Sequence, residues 1–113
     1  MTRGKVVLVP FPFDDLSSTK VRPAVCLTDP IGPYRHVILA FITSRIPADV
    51  LDTDIVLDPD QPDFHLTGLK VPSTIRLHRL MTVATSFIRR ELGHVSPRVE
   101  REMAEKLRRL FSL

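Results

Sequence analysis

Lys20-Val21-Arg22-Pro23-Ala24-Val25-Cys26-Leu27 passes within eight residues from a polar, cationic approach into an uninterrupted apolar run. Before it lies a polar loop, Asp14-Asp15-Leu16-Ser17-Ser18-Thr19, and before that Pro10-Phe11-Pro12-Phe13 and the apolar Val6-Val7-Leu8-Val9. The order is strand, proline-rich corner, polar loop, arginine, buried strand. A permanently charged guanidinium at such a junction can hold a phosphate without being buried unpaired.

Outward from this point the chain continues as short apolar runs broken by ten prolines and four glycines. That pattern favours a β-rich barrel or sandwich. Val6–Val9, Ala24–Leu27 and Val37–Ile42 are apolar on both faces, as in strands covered on both sides. Asp29–Tyr34 reads as a loop. Asp54–Leu57, set among acids, reads as a more exposed strand. Val71–Leu80 reads as another strand, with Pro72 near its start, where a missing backbone donor is tolerable. Met81–Arg89 is open between strand, turn and helix. Ser96 suits an N-cap and Pro97 the first helical position. Val99, Met103, Leu107 and Leu110 follow at near-helical spacing, so an amphipathic C-terminal helix is expected to pack on the sheet. Its acids come early and its bases late, as the helix dipole favours. Phe87 and Phe111 are assigned to the core.

The chain has 113 residues, the size of one domain over 1–113, with 43% hydrophobic and 26% charged residues. No apolar run approaches the roughly 20 residues of a membrane span. No apolar signal region follows Arg3 and Lys5, so the expected location is cytoplasmic. The one cysteine, Cys26, has no partner for an internal disulfide, and its apolar setting suggests a buried, inert thiol.

The net charge of +3 and the pI of about 9.5 fit attraction to nucleic acid or to an acidic protein without establishing either. Residues 49–63 hold six Asp and no Lys or Arg; residues 70–90 hold Lys70, Arg76, Arg79, Arg89 and Arg90 and no acid. The basic stretch is the better candidate to meet a polyanion. The acidic one reads as a solvated loop and edge strand. His36, His65, His78 and His94 lack close metal-ligand spacing, and no cofactor or metal is expected. The acidic segment lacks an EF-hand pattern. No glycine-rich phosphate loop is present. Phe11, Phe13 or Tyr34 could stack on bases.

Taken together, these segments resemble the MazF/PemK toxins of type II toxin–antitoxin systems. The match lies in Arg3-Gly4 with Val6–Val9 and the Pro-Phe corner, in Lys20-Val21-Arg22-Pro23-Ala24-Val25, and in Ala40-Phe41-Ile42-Thr43-Ser44. It continues in Gly68-Leu69 through Ser73–Leu80 and in Gly93-His94-Val95-Ser96-Pro97 with the last helix. The resemblance implies a mainly β fold, an SH3-like β-barrel of the MazF/CcdB toxin type with a C-terminal amphipathic helix. It also implies a homodimer, a cognate antitoxin that covers the substrate groove, and metal-independent endoribonuclease activity on single-stranded RNA. The same fold serves CcdB toxins, which poison gyrase and cleave nothing, so fold alone does not decide between cleavage, gyrase binding and an inactive RNA- or antitoxin-binding barrel.

Cleavage of this kind uses the RNA 2′-OH as nucleophile. Arg22 suits stabilisation of the charge that develops on phosphorus; its alternative is a strand-start arginine paired with Asp14 or Asp15. Thr43, at a strand end, can donate to a phosphate oxygen or orient the 2′-OH, with Ser44 the neighbouring choice because the pleat points one of them away. Arg76 and His78 are two apart on a strand and should share a face. The resemblance makes Arg76 a catalytic candidate. In some family members the position of His78 is acidic, so His78 is a departure that could carry a proton near neutral pH or stand as a surface residue. Lys20 and Arg79 are candidate RNA contacts. The 14–21 loop departs from the family pattern, and Asp14 is its RNA-facing candidate; the general base stays open.

Overall fold

The computed structural model describes residues 2–10 and 20–113. The apolar runs become strands β1 Lys5–Pro10, β2 Val21–Cys26, β3 His36–Thr43 and β4 Asp54–Leu57, then β5 Ser73–Ala84 and β6 Arg90–His94. Helix α1, Pro97–Phe111, follows, and short 3₁₀ turns occupy Phe64–Thr67 and Thr85–Phe87. All strand pairs are antiparallel, in the order β4-β5-β3-β2-β1-β6, and the sheet curls into a half-barrel. This is the mainly β, SH3-like barrel architecture with a C-terminal helix that was expected.

Two breaks in register accompany the curl. One lies on β1 between Val6 and Val7, opposite β6. The other is larger. Ala40 pairs with Leu80 while Phe41 pairs with Arg76, so one step along β3 answers four along β5. Leu77, His78 and Arg79 occupy that bulge.

Strand alternation sorts side chains into two apolar clusters. Val6, Val25, Ala40, Ile42, Ile55, Leu57, Ile75 and Leu77 meet Val99 and Met103 of α1. Val7, Val9, Ala24, Cys26, Val37, Leu39 and Phe41 form the second, with Met81, Val83 and Ile88 against it. Each fully buried Val, Leu or Ile contributes about 1.5–3 kcal/mol relative to its exposed state. Cys26 is buried as expected, and desolvation pushes its thiol up to about 11.

Helix α1 starts as the sequence requires. The Ser96 side chain accepts from the Val99 N–H at 3.2 Å, Pro97 opens the first turn, and Arg108 and Arg109 lie in the last.

Several expectations need correction. β4 is not exposed: Asp54, Ile55 and Leu57 are buried, because α1 packs against this strand and Asp54 is paired across to β5. β5 runs on through Met81–Ala84, and Thr85–Phe87 turns the chain into β6, a strand the sequence did not announce. Phe87, in that turn, and Phe111, in the last turn of α1, are each 55% exposed and not core residues.

Candidate functional site

The sheet register builds the site. Ala24 faces Phe41 on β3, and Phe41 faces Arg76 on β5, which in turn faces Asp54 on β4. Cross-strand partners share a face. Continuing the Ala24–Phe41 register by two residues sets Arg22 across from Thr43, itself paired with Thr74. Two adjacent rows thus carry the polar groups out of the second apolar cluster and into one cleft.

That cleft has a volume of about 370 Å³ and is lined by Arg22, Phe41, Ile42, Thr43, Ser44, Arg45, Arg76 and Arg79. Arg22 is exposed at the start of β2, and Thr43 is half-buried at the end of β3. Thr43 and Ser44 both line the cleft, because Ser44 lies beyond the strand and escapes its alternation. The Thr74 hydroxyl donates to the Arg45 carbonyl at 2.9 Å and pins the chain leaving β3. Arg79 sets its guanidinium carbon 5.8 Å from the centre of the Phe41 ring, within cation–π range.

Arg76 makes a two-pronged ion pair. Its Nε donates to Asp54 Oδ1 at 3.2 Å and its Nη2 to Asp54 Oδ2 at 3.1 Å. The Asp54 side chain is fully buried, and its Oδ2 also accepts from the Leu51 N–H at 2.9 Å. From behind, Lys106 Nζ of α1 donates to the Asp54 carbonyl at 2.7 Å and pairs with Glu102 at 3.2 Å.

The structure therefore brings together Arg22, Thr43, Ser44, Arg76 and Arg79 of the sequence candidates. His78 is exposed and is not among the lining residues. His78 falls in the β5 bulge, between the paired Arg76 and Leu80, and Arg79, three residues beyond Arg76, lines the cleft where His78 was expected. Lys20 is exposed and outside the lining. Asp14, Phe11, Phe13 and most of the 14–21 loop lie outside the described residues. Tyr34 is exposed in the turn before β3, 6.1 Å from His36 between ring centres and at the far end of that strand from Thr43.

Two residues escaped the sequence reading. Arg45 carried one weak signal, a base directly after Thr43-Ser44. Asp54 was counted with a solvated acidic stretch; its position heading the apolar Ile55-Val56-Leu57 was the clue. Among the described lining residues there are four arginines and two hydroxyls but no carboxylate or imidazole. The guanidinium and hydroxyl groups among them can donate hydrogen bonds to anionic oxygens. Among the described residues, no cluster of three or more His, Cys, Asp or Glu could hold a metal ion, and no helix is long and apolar enough to cross a membrane.

A curled antiparallel sheet with one C-terminal helix and an arginine-lined cleft at its strand ends defines a small toxin-type half-barrel. The model of the PemK-like, MazF-like toxins of type II toxin–antitoxin systems matches residues 2–111, and the chain belongs to that family. Among solved structures, the Mycobacterium tuberculosis toxin MazF-mt6 is similar at a TM-score of 0.70 and 22% identity, covering 96% of this chain and 97% of the other. MazF from Deinococcus radiodurans is similar at a TM-score of 0.70 and 19% identity, covering 100% and 97%. An endoribonuclease from a mycobacterial species, solved in complex with its cognate antitoxin, gives a TM-score of 0.72 at 14% identity, covering 100% and 96%. No match is found among curated proteins.

Proposed function

We propose that this protein is a sequence-specific, metal-independent endoribonuclease toxin acting on single-stranded RNA and neutralised by a cognate antitoxin. The observation that carries the reading is that Arg22, Arg45, Arg76 and Arg79 line one cleft together with Thr43 and Ser44. Family membership supports it, as do similar structures described as an endoribonuclease and as an endoribonuclease bound to its antitoxin.

In the proposed reaction the RNA 2′-oxygen attacks the adjacent phosphorus and loses its proton to a base. The bond from phosphorus to the 5′-oxygen breaks, and that oxygen takes up a proton. The products are a 2′,3′-cyclic phosphate and a 5′-OH. Because the nucleophile belongs to the substrate, no metal-bound hydroxide is needed. Arg22 and Arg76 stabilise the charge that builds on the phosphoryl oxygens. Thr43 donates to one of them or holds the 2′-OH in line. Ser44, Arg45 and Arg79 hold flanking phosphates. The whole chain acts as one cytoplasmic toxin domain, in a homodimer whose interface frames the substrate groove.

The test is incubation of the purified protein with a long unstructured RNA in EDTA, beside Arg22→Ala. Site-specific cuts with 5′-OH ends, absent from the variant, are expected. Arg22 is exposed, so the variant should fold and melt within several degrees of wild type, since an exposed charge contributes only about 0–1 kcal/mol. RNA bound in a salt-dependent way but left uncut would point to a non-cleaving barrel. Full activity in Arg22→Ala would remove the proposed mechanism.

A further inference from the structure

We infer that Asp54 is a positioning residue for cleavage, fixing the Arg76 guanidinium in the orientation that meets the scissile phosphate. The inference rests on the ribonuclease reading above. Asp54 does not line the cleft; it acts through Arg76.

The geometry separates this pair from an ordinary ion pair. The carboxylate is fully buried, whereas the Arg76 side chain keeps 22% of its surface exposed toward the cleft. A buried charge is retained only with full compensation, and Asp54 has it: Arg76 Nε and Nη2, and the Leu51 N–H. Two parallel hydrogen bonds lock the plane of a guanidinium, which one contact would leave to rotate. Arg76 has five N–H donors. The two given to Asp54 leave three, and the planar fork fixes where those three point.

The mounting is rigid as well. Asp54 pairs with Arg76 in the β4–β5 register, and its carbonyl is held by Lys106 from α1. The rigid strand and the helix behind it therefore set the angle of a cationic group at the cleft. Arginine position is worth much in such a reaction, because catalytic geometry is sensitive to displacements near 1 Å, at a cost on the order of 100-fold.

Loss of the carboxylate has opposite consequences for rate and for binding. Asp54→Asn frees Arg76 to rotate, which lowers the cleavage rate. It also removes a negative charge beside a phosphate-binding cleft, which leaves RNA affinity unchanged or raises it. A merely structural aspartate would lower stability and weaken binding together.

The experiment is a double-mutant cycle of Asp54→Asn, Arg76→Gln and the double variant. Cleavage rate is read at saturating RNA, and Kd on an RNA analogue lacking 2′-hydroxyls. Asp54→Asn is expected to lose roughly 10- to 100-fold in rate with Kd equal to or tighter than wild type. The double variant should be no slower than Arg76→Gln alone. Full activity in Asp54→Asn, or losses that multiply in the double variant, overturns the inference. If Asp54→Asn melts below the assay temperature, Asp54→Glu takes its place, keeping the charge while shifting the fork by one methylene. A rate loss at constant Kd then supports the positioning role, and full activity overturns it. Wild-type cleavage that Arg22→Ala abolishes but Asp54→Asn spares would fail this inference alone. A wild-type protein that cuts no RNA would fail the ribonuclease reading and this inference with it.

Discussion

Asp63 and Ser96 stand 33 residues apart in sequence and share a hydrogen bond, the Ser96 hydroxyl donating to Asp63 Oδ2. Ser96 is at the same time the N-cap of α1, and Arg98 in its first turn forks onto both Asp63 oxygens at 3.0 Å. One carboxylate thus fastens the start of the helix to the chain ahead of the Phe64–Thr67 turn. The Arg98 fork first, and the Ser96 hydroxyl second, hold the Asp63 carboxyl down from 3.8 to about 2.

This pair sets an acid-side dependence of stability. The folded state has the lower pKa, so the stabilisation is fully present above the unfolded value near 3.8 and is lost as pH falls toward 2. Asp63→Asn should melt several degrees below wild type at pH 6, and the gap should close as the pH is lowered from about 4 to about 2. Thermal scans of both proteins across that range decide it; a gap that stays constant to pH 2 would refute the assignment.

Gly93 on β6 tests the close approach of that strand to the Phe64–Thr67 turn. A β-carbon at Gly93 would overlap the Leu66 carbonyl and the backbone of Thr67, neither of which can rotate away. Gly93→Ala is therefore expected to cost about 1–3 kcal/mol or more, a fall in Tm of about 4–8 °C per kcal/mol for a domain near this size. Gly32→Ala is the comparison. A β-carbon there meets nothing within 4 Å, and only the positive φ of 73° opposes it. Equal melting temperatures for the two variants would contradict the packing argument.

The same contrast of local and distant causes explains what could be read in advance. The opening of α1 was legible because Ser96, Pro97 and the Val99–Met103–Leu107 spacing act within a few residues of one another. β1, β2 and β3 were legible because continuous apolar runs have few other uses in a chain this short. β6 was not, since Arg90-Glu91-Leu92-Gly93-His94 has no β-branched residue and owes its strand to pairing with β1. The burial of Asp54 depends on Arg76, 22 residues away, and on a helix lysine 52 residues away. In the site, Arg22 and Thr43 could be named because one opens and the other closes a recognisable strand, in segments that carry the family resemblance. His78 and Arg79 could not be ranked, because the register shift that puts Leu77, His78 and Arg79 between the β3 pairings of Arg76 and Leu80 leaves no trace in the sequence.

Thr43 separates chemistry from packing. It is half-buried and paired with Thr74, so its methyl group and backbone are already accommodated. Thr43→Val keeps that shape and removes only the hydroxyl. Loss of a donor aimed at developing charge costs on the order of 100- to 1,000-fold in turnover, whereas the melting temperature should shift little. Unfolding of Thr43→Val, with turnover per folded molecule unchanged, would make the residue structural.

Arg45 and Arg79 should appear in the salt dependence of RNA binding. Each phosphate neutralised on a single strand contributes about 0.7 to the slope of log K against log salt. Arg45→Ala and Arg79→Ala, measured on an RNA analogue lacking 2′-hydroxyls, should each flatten the slope by about that amount. Lys70→Ala, exposed and outside the cleft lining, should leave it unchanged. Arg79→Lys should keep the charge and still lose affinity, because an ammonium does not reproduce the forked phosphate contacts of a guanidinium. If Lys70 flattened the slope as much as Arg45, the polyanion would be tracking the general basic surface of residues 70–90, and the cleft would have no special claim on it.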